Sequence, residues 1–340
     1  MDALSRKIES FTKSLNKYEG SIASFLTGRN LTAKEFILSV INSVKKTPAL
    51  LDCESKSLFG AILLCAEFGL LPNTPDQHVF IRPKGIEVDW TLGYKGIVEI
   101  AYRSPRIKFF TGIPVYQNEF YREYDNGTMR HIKYTGLDMN ILELCSLRTQ
   151  YLKDIGASEE DTAKDIKKYK ARLRKEGKGA LALVYATCTL EGSETPLWRS
   201  VTKDVLDEAD KLAKASGRTD FADLHNTLQT KIAVKLLSKY IPKEDNSLLA
   251  KAIAIDDSIL SGKTPVIEEG GKVEIVNPEK LKRGVDKIAE RLLLLLKDCV
   301  TMEDVKKLKE EAQIKAPHIL EAQLDLFAQK EEELKSVTTN

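Results

Sequence analysis

Ser261-Gly262-Lys263-Thr264 ends the way a phosphate-binding loop ends. The full pattern, G-x-x-x-x-G-K-[S/T], wraps backbone N–H groups round a phosphate and needs a glycine five positions before Gly262. Asp257 stands there, where its side chain restricts the backbone and its charge repels phosphate. Glu87 and Asp89 are two apart in a strand-like stretch and so share a face, as a metal-dependent nuclease requires. The same alternation around Trp90 also fits an ordinary half-buried strand. His78, His131, His225 and His318 form no short ligand pair. Cys53, Cys65, Cys145, Cys188 and Cys299 contain no C-x-x-C, so neither a zinc site nor a disulfide framework is expected. Among apolar neighbours these thiols read as small core residues in a reducing compartment.

Chemistry that makes no bonds is better provided for. Lys95, Arg103, Arg106 and Lys108 occur beside Tyr94 and Tyr102, and Tyr121, Arg122, Tyr124, Arg130 and Lys133 follow in a hairpin-like stretch. Cations interleaved with aromatics suit a single-stranded nucleic acid, because the cations take phosphates while the rings stack on exposed bases. Lys95 and Arg103 are each four residues from Glu99, and one carboxylate cannot neutralise every cation there. The segment 164–178, KDIKKYKARLRKEGK, carries a net charge of +6. Such density repels itself unless a polyanion or solvent screens it. Lys231, Lys235 and Lys239 recur every four residues beside an apolar stripe of Leu224, Leu228, Ile232 and Leu236. A helix with that pattern buries its leucines and presents a rail of lysines. The bland alternatives are cross-strand pairs on a solvated sheet, a mobile solvated helix in an inserted loop, and surface lysines that confer solubility.

The elements that must carry these residues are legible in outline. An amphipathic helix is expected within 1–30, and Thr32 with Glu35 forms a capping box ahead of a helix stopped by Pro48. A second helix runs from about Ser55 to Phe68 and ends at Gly69. Strands are expected at 79–82 and 86–92, around Pro83-Lys84-Gly85, then a helix over 94–104. IKFFTGIPVY and NEFYREY read as strands, with Asp125-Asn126-Gly127 turning into TMRHIKY at 128–134. A further strand is expected at 139–148, a charged helix at 159–176, a buried strand at 180–190, and helices at 201–215 and 221–240. Helices first, then strands in a meander, then helices again predict an α+β fold with a small antiparallel or mixed sheet.

The 340 residues are 42% hydrophobic and 30% charged, with 52 basic against 50 acidic side chains. That supports a sizeable core and excludes a uniformly polycationic chain, though not a local basic surface. The N-terminus has no signal-like hydrophobic region, and no apolar run is long enough for a bilayer. The expected division is an N-terminal helical region over 1–50, an α+β core over 51–245, a linker over 246–280 and a C-terminal helical module over 281–335. Leu292 to Leu296 cannot share one narrow helix face, so that helix is expected to be covered on several sides.

GYKGIVEIAYRSPRI at 93–107 is the sharpest part of a resemblance to the RecT family of phage and prophage single-strand annealing recombinases. The likeness begins near 47–74, TPALLDCESKSLFGAILLCAEFGLLPNT, and continues through VYQNEFYREY to His131. In the later helix, Leu228 stands for a frequent methionine, and Lys231, Lys235, Lys239 and Pro242 match the family's basic residues and closing proline. Departures are Ile232 in place of a threonine, Phe221 as the nearest substitute for a proline-tryptophan opening, and a longer, more basic stretch at 153–178.

The resemblance implies an α+β core of the Redβ–Rad52 type that assembles into rings or helical filaments. It implies binding of single-stranded DNA and the annealed duplex, and pairing of complementary strands without ATP. No catalytic group and no cofactor are required, with Mg²⁺ at most a modulator of DNA binding. Lys95, Arg103, Arg106, Lys231, Lys235 and Lys239 are the expected phosphate contacts, joined by Lys108 and Arg122, and Tyr94, Tyr121 and Tyr124 are expected at bases or sugars. Gly93 and Gly96 are expected to permit a close strand-to-helix approach or to expose backbone donors near a phosphate. The cations are expected to converge into one track from subunit to subunit. Residues 1–50 are expected to serve oligomerisation, and the C-terminal module to dock a phage exonuclease or the host single-strand-binding protein. The setting would be the cytoplasm of a bacterial host, with no membrane partner. The competing readings are a metal-dependent nuclease using Glu87 and Asp89, and a structural phage protein.

Overall fold

The computed structural model describes residues 3–124, 127–215, 227–268, 271–315, 319–320 and 323–338. Asp125, Asn126, Phe221, Leu224, His225 and His318 lie outside the described residues. The chain divides into two compact units, one of residues 1–96 with 251–340 and one of residues 97–250.

The first unit opens with helices α1 (Ala3–Asn16), α2 (Glu19–Leu26), α3 (Ala33–Lys46) and α4 (Ser55–Phe68). Both arms of the expected capping box hold the start of α3: the Glu35 N–H donates to Thr32 Oγ1 at 3.2 Å, and the Thr32 N–H donates to Glu35 Oε2 at 2.9 Å. Helix α4 is buried nearly all round, through Leu58, Ile62, Leu63 and Cys65, and so forms the centre of the unit. It ends where Gly69 takes the left-handed conformation, φ +57°. Strands β1 (Val79–Lys84) and β2 (Glu87–Leu92) then pair antiparallel.

The described residues of 246–280, expected as a linker, form a helix and two strands. Helix α10 (Lys243–Leu260) is followed by strands β8 (Thr264–Ile267) and β9 (Val273–Val276), which pair antiparallel. Strand β8 lies so close to α4 that a Cβ on Gly60 would fall 2.8 Å from the Val266 nitrogen. Buried polar links hold this return segment: the Leu92 N–H donates to Asp256 Oδ1 at 2.9 Å, and Ser57 Oγ lies 3.1 Å from Thr264 Oγ1. The acidic, glycine-containing composition predicts a linker, yet Asp256 of α10 is buried, where its carboxylate accepts the N–H at the end of β2.

Helices α11 (Pro278–Asp298), α12 (Met302–Lys315) and α13 (Leu324–Thr338) surround their own core of Leu292, Leu296, Val305, Ile319 and Phe327. The expectation of an all-round covered leucine run is corrected here. Leu292 and Leu296, one turn apart, are buried, while Leu294 and Leu295 are exposed.

The second unit is layered. Helix α5 (Tyr94–Ala101) leads into it, and strands β3 (Ile107–Tyr116), β6 (Leu181–Leu190) and β7 (Leu197–Thr202) form an antiparallel sheet in the order β3-β6-β7. Strands β4 (Phe120–Glu123) and β5 (Met129–Ile132) form a separate hairpin. Helices α6 (Asp138–Asp154) and α7 (Glu159–Glu176) pack together, and α8 (Lys203–Ala215) and α9 (Thr227–Ser238) follow the sheet. Residues 139–148, expected as a strand, belong to α6. Ile141, Leu144 and Cys145 are buried at helical spacing, and Leu142 is exposed.

The two faces of the β3-β6-β7 sheet have different covers. A Cβ on Gly112 would lie 2.4 Å from Thr230 Cγ2, so α9 packs directly on the face that also carries Phe110, Val184 and Ala186. Side chains alternate along a strand. Tyr185 and Ser200 therefore face the other way, where they meet the β4–β5 hairpin.

Candidate nucleic-acid interface

The hairpin is fixed to the sheet by a buried polar network. Glu119 precedes β4 and accepts the backbone N–H of Tyr116 at 2.9 Å and of Tyr134 at 3.0 Å. Its Oε2 lies 3.1 Å from His131 Nε2, and His131 Nδ1 lies 3.3 Å from the Tyr185 hydroxyl. Burial opposes charge on Glu119, but these hydrogen bonds outweigh it and hold the carboxyl below its ordinary range. Burial pushes the Tyr185 hydroxyl up to about 12. Tyr121 donates to Glu123 Oε1 at 2.7 Å, and Ser200 donates to the same oxygen at 2.7 Å. Burial, then the Glu123 charge, raises the Tyr121 hydroxyl as well. At the hairpin tip the Trp198 indole donates to the Gly127 carbonyl at 2.8 Å.

This network consumes one of the residues expected at DNA. Tyr121 is half-buried, with its ring 5.6 Å from that of Tyr185 and its hydroxyl committed. Arg122 and Tyr124 are exposed, the guanidinium 5.2 Å from the Tyr124 ring centroid and 3.5 Å from Asp154. Arg106 and Lys108 are exposed where the chain enters β3, next to an exposed Phe109. Arg103 is half-buried and pairs with Glu99 at 3.6 Å.

Helix α9 differs from the expected lysine rail. Its buried stripe is Thr230, Ala233, Val234 and Leu237, while Ile232 and Leu236 are only half-buried. Thr230 and Val234 lie directly over Gly112, which turns the helix relative to the leucine-based expectation. Lys231 is consequently only 7% exposed, Lys235 is half-buried and Lys239 is exposed. The sheet lies between α9 and the hairpin, so the lysines of one and the Arg122–Tyr124 pair of the other belong to elements on opposite faces. The structure does not gather them on one surface of the unit.

Tyr94 and Lys95 fall in the first unit, half-buried and exposed respectively. The glycines beside them are structural. The Gly93 N–H donates to the His78 carbonyl at 2.8 Å, so it is not an open donor. A Cβ on Gly93 would lie 2.0 Å from the Gln77 carbonyl oxygen, and one on Gly96 would lie 2.1 Å from that of His78.

The +6 segment is α7. It is anchored by Tyr169 and Leu173, capped by Ser158, and partly paired through Arg148–Asp165 and Lys164–Glu160. Lys167, Lys168 and Lys175 remain exposed. The catalytic lures resolve differently. Thr264 opens a strand rather than a helix, which is the wrong context for a phosphate loop. Glu87 is buried, and the β1–β2 register sets Asp89 opposite Arg82 and Glu87 opposite Lys84. Among the described residues no three His, Cys, Asp or Glu side chains are placed to hold a metal ion. No described helix is long and apolar enough to cross a membrane.

Gln117, Arg148, Tyr151 and Tyr169 are not among the site residues expected from sequence. Arg148 and Tyr151 share a face only on a helix, whereas the sequence predicts a strand over 139–148.

An α+β protein whose exposed arginines and lysines alternate with aromatic rings has the surface chemistry of a nucleic-acid binder. The comparisons give that class a family. The RecT family profile matches residues 34–268. Protein RecT of Escherichia coli K12 is 22% identical over 260 residues, which covers 71% of this chain and 81% of that protein. The chain belongs to the RecT family, and so stands among the phage-type DNA recombination and annealing proteins.

Proposed function

We propose that the protein binds single-stranded DNA and pairs complementary strands without ATP, metal or any catalytic residue. The observation that carries the proposal is the RecT match over residues 34–268, which includes every residue expected at DNA. Arg106, Lys108, Arg122 and Tyr124 support it on the sheet entrance and hairpin, Lys235 on α9 and Lys239 in the turn after it, and Tyr94 and Lys95 in the first unit. Arg103 and Lys231 belong to the same set, though their burial makes them supports of neighbouring contacts more than free phosphate ligands. Phosphate contacts carry no sequence information, so the grip is general, and base pairing supplies the specificity.

The opposite faces of the sheet give oligomerisation a mechanical reason. A strand that touches both the hairpin and α9 must pass round a sheet edge or run from one chain to the next. Shared between chains, weak local grips multiply into avidity. A ring or helical filament in the bacterial cytoplasm, acting beside a phage exonuclease or the host single-strand-binding protein, completes the reading. The C-terminal helices would be the docking module and residues 1–50 an oligomerisation region. Mg²⁺ would act only as a modulator.

Two complementary fluorescently labelled strands, mixed with the protein in chelator and without nucleotide, test it. Pairing several-fold faster than the protein-free rate is expected. A protein that leaves the rate unchanged, or that digests labelled single strands once Mg²⁺ is added, overturns it.

A further inference from the structure

Between the hairpin and the α6–α7 pair, wholly within the second unit, lies a pocket of about 220 Å³. Phe120, Tyr121, Tyr151 and Tyr169 line it, together with Arg122 and Arg148. The Arg148 guanidinium lies 4.8 Å from the centre of the Tyr169 ring, and that of Arg172 lies 5.5 Å from it. Glu119 and Tyr121 form its wall toward the buried network, and the rest of the site offers flat aromatic faces and guanidinium planes.

Its charge decides what it would take. Arg148 is held by both oxygens of Asp165, which the pairing keeps below the ordinary carboxyl range. Arg122 lies 3.5 Å from Asp154. Both cations already face carboxylates, so the interior does not call for a phosphate. Aromatic and guanidinium planes instead favour a neutral flat ring. The Gln117 amide and the Tyr151 hydroxyl make no hydrogen bond to another described residue, and so offer donors and acceptors to a ring with a polar edge. Size points the same way, because pockets for drug-sized ligands begin at about 300 Å³. Outside, Arg130 stands directly across the hairpin ladder from Arg122 and is exposed. It offers a cation to the phosphate attached to such a ring.

We propose that this pocket takes one unstacked nucleobase of a bound single strand, once per chain. The proposal rests on the single-strand reading above and adds a base subsite to it. A base in the pocket has left its stack, which costs least in a single strand. The site is therefore filled before pairing and emptied by it, so the pocket distinguishes unpaired from paired DNA.

The test uses the full-length protein and a single-stranded oligonucleotide carrying 5-iodouracil, which crosslinks under long-wavelength light to rings stacked on it. Duplex of the same sequence and free 5-iodo-dUMP serve as separate arms. Crosslinks are expected at Tyr151, Tyr121 or Tyr169 with the single strand and several-fold fewer with the duplex. Tyr151→Ala should lower both crosslink yield and single-strand affinity about fivefold or more, and Tyr151→Phe should restore stacking. Tyr151 is exposed, so the thermal midpoint of either variant should match the parent and rule out misfolding. Crosslinks confined to other surfaces, or unchanged affinity in Tyr151→Ala, overturn the pocket and leave annealing standing. Equal crosslinking by the free nucleotide overturns the assignment to a strand. A parent protein that binds no single strand overturns both readings.

Discussion

His131 and Glu119 meet inside the second unit with 3.1 Å between Nε2 and Oε2, and both side chains are 3% exposed. Nε2 faces the carboxylate and Nδ1 faces the Tyr185 hydroxyl, whose proton burial retains to about 12. The imidazole therefore bridges the carboxylate that precedes the hairpin to the sheet. The surface that carries Arg122 and Tyr124 depends on a strut it does not expose.

We predict that removing the strut loosens the hairpin. Glu119→Ala leaves His131 and two backbone N–H groups without their acceptor, at a cost of about 3 kcal/mol. Urea denaturation should show the loss, and hydrogen exchange at residues 119–134 should rise before that of the β3-β6-β7 sheet. Exchange that rises evenly through the unit would refute the strut.

Acid should act through the same carboxyl. The folded protein holds Glu119 below its ordinary value of 4.5, so its contribution is fully present above that value. The contribution disappears as pH falls through the lower folded value, because the unfolded chain then binds the proton more readily. Stability measured from pH 6 down to pH 2 should fall less steeply in Glu119→Gln than in the parent. Parallel acid limbs would show that other carboxylates dominate.

Lys231 and Lys235 of α9 and Lys239 just beyond it should separate into two kinds. Lys231→Glu puts a carboxylate at a position only 7% exposed, beside a stripe that lies on Gly112, and should lower the thermal midpoint by several degrees. Lys239→Glu is exposed and Lys235→Glu half-exposed, so the double variant should keep its midpoint and lose annealing rate several-fold. Normal annealing by the double variant would make these lysines surface decoration. A Lys231 variant that is stable but binds no DNA would restore the rail read from spacing alone.

The split in α9 marks where sequence reading stops. Local signals translated directly: the Thr32–Glu35 capping box and Gly69 ending α4 both lie where backbone chemistry places them. The apolar run 180–190 became the central strand β6 because β-branched and aromatic residues suit a strand buried on both faces. Decisions made by packing did not translate. Ile141, Leu144 and Cys145 fit a helix only once α6 packs on α7, and Asp256, inside a stretch whose composition predicts a linker, is buried against its strand-end partner Leu92. Lys231 repeated with Lys235 and Lys239, yet the approach of α9 to Gly112 chose which face is covered. Cation-aromatic interleaving and the GYKG motif led to the family, but not to Arg148 and Tyr151, which depend on α6 being a helix.

The GYKG motif itself supplies the last prediction. At Gly93 and Gly96 a methyl group would overlap the carbonyl oxygens of Gln77 and His78, at 2.0 and 2.1 Å, and these atoms are backbone with little freedom to retreat. Gln77 already has a positive φ of 60°, so the loop facing the motif is tightly turned. Gly93→Ala and Gly96→Ala should each cost about 2–3 kcal/mol through overpacking. The loss should be read as a lower denaturation midpoint with DNA absent. If the glycines instead served as phosphate donors, the variants would keep their stability and lose DNA affinity. The Gly93 N–H is already engaged by the His78 carbonyl at 2.8 Å, which sets the expectation on the structural side. Lys95, exposed between the two glycines, gives the matched control: Lys95→Ala should leave the midpoint in place and weaken DNA binding in a salt-dependent way. Opposite behaviour of Lys95 and its neighbouring glycines would separate the part of the motif that holds the loop from the part offered to DNA.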